Sequence, residues 1–212
     1  MTPASVLLLV SVLVAPAALL FQHLRPRIAR VRPPLAPPKG SARAGVLYAF
    51  TLAFAPAAKE TASRHLPSYL AGIGYHLAIF TMLARLLASL LGARIPSALD
   101  ASSAAIFAIG IGCGLGLLAK RVWVPRLAAI SVPDDLLANL LATAALAAGL
   151  AASLAPATLS LFQVAGAVLL LYAPLGKLRH MGFLLSSRRH LGAHFGRRGV
   201  RPAPRPIGGP RG

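Results

Sequence analysis

The chain has 212 residues, 57% of them hydrophobic and only 12% charged, and 22 of the 26 charged side chains are Lys or Arg. A soluble domain averages about 45–50% apolar and about 25% charged, so the composition argues against a soluble domain and against disorder over most of the length. Cys113 is the only cysteine, which excludes a disulfide scaffold or zinc ribbon. The net charge of +18 would suit nucleic acid, but the basic residues sit between long apolar runs, as membrane topology requires, so no nucleic-acid partner is expected.

A spanning helix needs about 20 mainly apolar residues, and five stretches qualify: Ala4–Leu24, Ser68–Leu91, Leu99–Ala119, Leu136–Leu154, and Ala157–Leu178 or beyond. The shorter stretch Ala44–Ala58 carries Pro56 and reads as an interfacial or re-entrant segment. The first span has no basic residue before it and four arginines after it (Arg25, Arg27, Arg30, Arg32), which argues against a cleaved signal peptide and places the N-terminus outside. Pro67 and Pro96 bracket the second span, Pro133 with Asp134 and Asp135 opens the fourth, and Pro16 and Pro174 are expected to kink their helices. Gly110, Gly112, Gly114 and Gly116 give the third span a small-residue stripe, read as close helix packing, with Cys113 as a packing residue.

The expected fold class is all-α, a polytopic membrane protein with a five-helix transmembrane bundle. Its parts are a first transmembrane helix (1–24), a basic loop with the interfacial segment (25–66), a four-helix membrane core (67–190) and a basic tail (191–212), disordered from about 201. Pro33, Pro34, Pro37 and Pro38 should stiffen the loop. With alternating spans, 20 basic residues fall on the cytoplasmic side and only Arg94 outside. This predicts a multi-pass protein of the inner membrane with a cytoplasmic C-terminus.

Chemistry is sparse. The four acids, Glu60, Asp100, Asp134 and Asp135, all lie near membrane edges, so a carboxylate proton relay is not expected. No Ser/His/Asp arrangement, phosphate loop or zinc spacing occurs. Of the six histidines, His23, His65, His190 and His194 fall in loops or at interfaces. His76 lies about nine residues into the second span, roughly 13 Å deep, and an ionisable residue at that depth marks a candidate site. If the last span continues past Pro174 to about Ser186, His180 reaches a similar depth. Two histidines on separate helices at one depth suggest axial ligation of a haem iron, with electron transfer favoured over O₂ chemistry. Lys177 and Arg179 flank His180 and are candidates to balance haem propionates, or ordinary positive-inside charge. The plain alternative is that both histidines are packing residues.

The run Gly72–Leu91, "GIGYHLAIFTMLARLLASLL", resembles the helix bearing the first haem histidines in the gamma subunit of respiratory nitrate reductase. Leu117–Gly149 is similar to that family's next inner loop and helix, and Tyr172–His180, "YAPLGKLRH", to its proline–basic–histidine motif. Arg188–Val200, "RRHLGAHFGRRGV", more closely resembles the cytochrome b subunits of heterodisulfide-reductase-like and sulfite-reduction-associated complexes. The resemblance covers about residues 44–200. It implies a five-helix cytochrome b that exchanges electrons between quinone and a cytoplasmic iron–sulfur subunit, with His76 and His180 on one haem b. Leu86 and Phe162 stand where the two-haem type has its other histidines, so a single haem is expected. Arg85 is expected to snorkel outward, with propionate or quinone contact as alternatives.

The functional expectation is thus an electron-transfer subunit of a quinone-linked oxidoreductase complex. Its basic surface would dock an acidic partner or attract anionic membrane lipids. The rivals are a haem-free membrane anchor and a small transporter, the latter disfavoured by the scarcity of membrane acids and of internal repeats.

Overall fold

The computed structural model describes residues 2–24, 37–58 and 60–200. Pro33 and Pro34 of the proline-rich loop, and the tail from 201 on, lie outside the described residues. Among the described residues the chain is helical and has no strand. Its helices are α1 (Pro3–Leu24), α2 (Ala42–Phe50), α3 (Glu60–Arg64), α4 (Leu66–Leu90), α5 (Ser97–Trp123), α6 (Pro125–Ala128), α7 (Pro133–Leu154), α8 (Leu159–Tyr172) and α9 (His180–Arg197).

Four of these, α1, α4, α5 and α7, are long and apolar enough to cross a membrane, and a fifth span is reached if α8 and α9 count as one broken span. Four of the five expected spans are therefore present as single helices, slightly longer than most of the apolar runs. Each gains a polar or proline-led turn at an end, where exposed backbone groups need partners. In α7, Pro133 takes the first helical position, where its missing N–H costs nothing. Asp135 Oδ2 then accepts the Val132 N–H at 3.0 Å.

The last span differs from expectation. No continuous helix carries His180 past Pro174. α8 ends at Tyr172, a turn follows, Lys177–Arg179 forms a single 3₁₀ turn, and His180 opens a new helix. Pro174 cannot extend the hydrogen-bond ladder of α8, and Gly176 follows it closely. The Tyr172 carbonyl instead accepts the Leu175 and Gly176 N–H groups at 2.9 and 3.1 Å.

The chain divides into two compact units, residues 1–22 with 67–179, and residues 23–66 with 180–212. The first unit is the helix bundle. Its core includes Leu8 of α1, Met82 and Leu86 of α4, Phe107 of α5, Leu146 of α7 and Phe162 of α8. Antiparallel alternation shows in what meets at each end. At one end the start of α4 meets the end of α5 (Ser68 with Lys120), and the ends of α1 and α8 meet through Gln22 Nε2 and the Pro174 carbonyl. At the other end Ser5 of α1, Ser89 of α4 and Gln163 of α8 form a hydrogen-bonded chain.

The α5 glycine stripe splits by face. Gly110 and Gly114 are buried against α4 and α7, where an added Cβ would lie 2.2 Å from Ala78 Cβ and 2.6 Å from Thr143 Oγ1. Gly112 and Gly116 face open space. Cys113 packs at the edge of the core, as expected of a small apolar side chain.

The second unit pairs α2 with α9 through glycines. An added Cβ on Gly45 would fall 2.1 Å from the Gly192 carbonyl and 2.6 Å from the Gly196 Cα. Lys39 and Gly40 donate their N–H groups to the Arg197 carbonyl at 2.8 and 3.0 Å. The segment expected to be interfacial is thus a short helix followed by 3₁₀ turns at Leu52–Phe54 and Pro56–Ala58.

Candidate functional site

The placement of His76 follows from its neighbour Tyr75. Successive helix residues are about 100° apart, so the side that Tyr75 anchors decides where His76 points. Tyr75 is buried, and its hydroxyl meets Thr143 Oγ1 at 2.8 Å and donates to the Asn139 carbonyl at 3.0 Å. Asn139 Nδ2 in turn donates to the Gly114 carbonyl at 3.2 Å. This relay joins α4, α5 and α7, and fixes the rotation of α4. His76 is left exposed on the outer face of the bundle unit, about 15 Å along α4 from its start.

His76 Nδ1 lies 2.7 Å from the Gly72 carbonyl one turn earlier. A carbonyl only accepts, so Nδ1 carries a proton, and in the neutral imidazole the lone pair is then on Nε2. A metal-binding histidine needs that state, with the second nitrogen held by a backbone acceptor. Gly72 adds no side chain on this face, and nothing lies within 4 Å of where its Cβ would be. The residues therefore suit a flat iron-bearing ring laid against α4.

His180 is exposed, at the first position of α9, and belongs to the other unit. Lys177 and Arg179 belong to the bundle unit. Lys177 is engaged by carboxylates: Nζ lies 2.6 Å from Asp135 Oδ1, and its N–H donates to Asp134 Oδ2 at 2.8 Å. Arg121 Nη1 reaches the same Asp135 oxygen at 3.2 Å, and the Tyr172 hydroxyl donates to Asp134 Oδ1. These contacts clamp the turn after α8 to the start of α7. Arg179 is exposed. Among the described residues no three His, Cys, Asp or Glu side chains converge as a metal group.

Leu86 and Phe162, the positions where a second haem's ligands would fall, are each only 2% exposed. Phe162 packs on Phe107, ring centroids 6.4 Å apart, and Leu86 fills the space over Gly166. Arg85 forms an ion pair with Asp100 in the first turn of α5, its side chain 16% exposed. The pair sets one guanidinium nitrogen against a carboxylate at the end of the bundle unit, while Arg85 Nη1 is buried without a hydrogen-bond partner among the described residues.

The Gly72 carbonyl, the Tyr75 relay and the Asp134–Asp135 clamp were missed in the sequence. A glycine four residues before a histidine on one helix was a readable signal for the first. The other two join residues on different elements, 14 to 68 apart in sequence. Compared with known protein families, curated proteins and solved structures, the chain matches none.

Proposed function

We propose that this chain is a membrane-anchored b-type cytochrome subunit, passing electrons between a quinone/quinol pool and a cytoplasmic iron–sulfur partner. It would carry one haem b, with His76 and His180 as axial ligands. The observation that carries this reading is the Nδ1–Gly72 contact, which in the neutral imidazole directs the lone pair to Nε2 of His76, on an open face of an apolar helix. When bound, a bis-imidazole haem supplies reversible one-electron storage. Arg179 suits a propionate counter-charge better than Lys177, whose ammonium already pairs with Asp135. The filled core at Leu86 and Phe162 supports one haem rather than two.

A second reading, a haem-free membrane anchor, is favoured by the start of a new helix at His180 where a continuous span was expected. Purified protein separates the two. The cytochrome reading expects a reduced-minus-oxidised b-type spectrum at about one haem per chain, given one axial pair. His76→Ala and His180→Ala should each abolish it. Full retention in both variants would remove this site, and wild-type protein with no haem would leave the anchor.

A further inference from the structure

We propose that the α2–α9 unit is a docking surface for anionic phospholipid, with α9 lying in the membrane interface. α9 is not apolar enough to cross a membrane alone, yet it exposes Leu184, Leu191 and Phe195 at 43%, 56% and 37%. Spaced seven and four apart, these residues form one stripe along the helix. Arg189, His190, His194 and Arg197 lie on other faces and are exposed, as is Arg198 just beyond the helix end. An exposed apolar stripe beside a basic flank on one helix is the pattern of a helix lying in a membrane interface.

Beside the stripe runs a groove of about 300 Å³. Gly45 and Gly192 form its floor, because they let the two backbones touch. Tyr48, Ala53, Leu191 and Phe195 are among its walls. It is of a size and polarity to take a stretch of acyl chain. The one cation lining it, Arg188, is already committed to the Ala49 carbonyl and to the Phe54 ring, 3.8 Å from its centroid. The exposed positive charge of α9 thus lies outside the groove lining, on the flanks of the helix, where a headgroup phosphate would meet it.

Two observations commit the occupant to lipid. Of the chain's four acids only Glu60 falls in this unit, on neither α2 nor α9. The unit is also joined by the chain directly to apolar helices, with α1 ending at Leu24, α4 starting at Leu66 and α9 following the 173–179 turn. Such tethering holds a surface helix at the bilayer, where anionic headgroups are concentrated.

The test uses the full-length chain with Cys113→Ser, carrying a nitroxide at Leu191→Cys or, as a polar-face control, at His190→Cys. It is reconstituted in vesicles of phosphatidylcholine alone or of equal parts phosphatidylcholine and phosphatidylglycerol. In the mixed vesicles the label at 191 should be shielded from a water-soluble relaxing agent and open to oxygen, while the label at 190 stays wet. Replacing Arg189, Arg197 and Arg198 by Gln should return the 191 label to its behaviour in phosphatidylcholine, since three basic residues at an anionic surface shift docking by roughly 100-fold. Equal water access at 191 in both vesicle types would overturn the proposal. So would a label at 191 closed to both the water-soluble agent and oxygen, which would mean that a protein partner or a second copy covers the face. Neither result depends on haem being bound.

Discussion

At the scale of single residues, the glycines of α4 and α5 differ in what surrounds them. Gly114→Ala would push a methyl into Thr143 and the Tyr75 ring. Overpacking of this kind costs about 1–3 kcal/mol, and here it would also disturb the hydroxyl pair that orients α4. Gly112→Ala meets open space and should stabilise the helix by about 0.5–1 kcal/mol. Thermal unfolding in one detergent should therefore show the two variants moving in opposite directions. Gly72 offers a test closer to function. Gly72→Leu fits an open face, so the protein should fold normally, while a ring seated over that face would be displaced. The expected result is an unchanged melting temperature of the haem-free protein with a lower haem-to-protein ratio. Unchanged haem content would place the ring elsewhere.

At the scale of elements, the end of α8 is held by a carboxylate clamp. Pro174 and Gly176 stop the helix, but they do not fix where the chain goes next. Asp134 does so by accepting from the Tyr172 hydroxyl and the Lys177 N–H, while Asp135 takes the Lys177 ammonium and Arg121. Asp134→Ala removes the acceptor for two donors on a partly exposed turn. The expected cost is about 1 kcal/mol, visible as faster limited proteolysis between 173 and 179, with the bundle helices still protected. Cleavage at the wild-type rate would mean the turn holds without the clamp. The sequence does carry Asp134, Tyr172 and Lys177, and the short connection makes α7 and α8 antiparallel, but which faces of the two helices meet is encoded by no local pattern.

At the scale of the whole molecule, the packed interior of the bundle unit bears on cofactor number. Leu86 and Phe162 lie in a core filled by Phe107 and Leu146. Introducing histidines with Leu86→His and Phe162→His should destabilise the protein by several kcal/mol, since each change deletes packing and buries an imidazole. It should not add a haem. A rise from one haem to two per chain, measured by pyridine haemochrome, would contradict this.

The number of apolar helices, their order and most of their ends were legible in the sequence, because a run long enough to cross a bilayer is set by composition alone and prolines and glycines mark its limits. The candidacy of His76 was legible for the same reason: an imidazole inside an apolar run stands out. Tertiary structure decided the rest. It turned His76 outward by burying Tyr75, supplied the Gly72 carbonyl to its Nδ1, drew Arg85 onto Asp100, broke the last span before His180, and joined α2 to α9 through facing glycines. Each of these depends on which faces meet across the chain, and hydropathy along the chain does not record that.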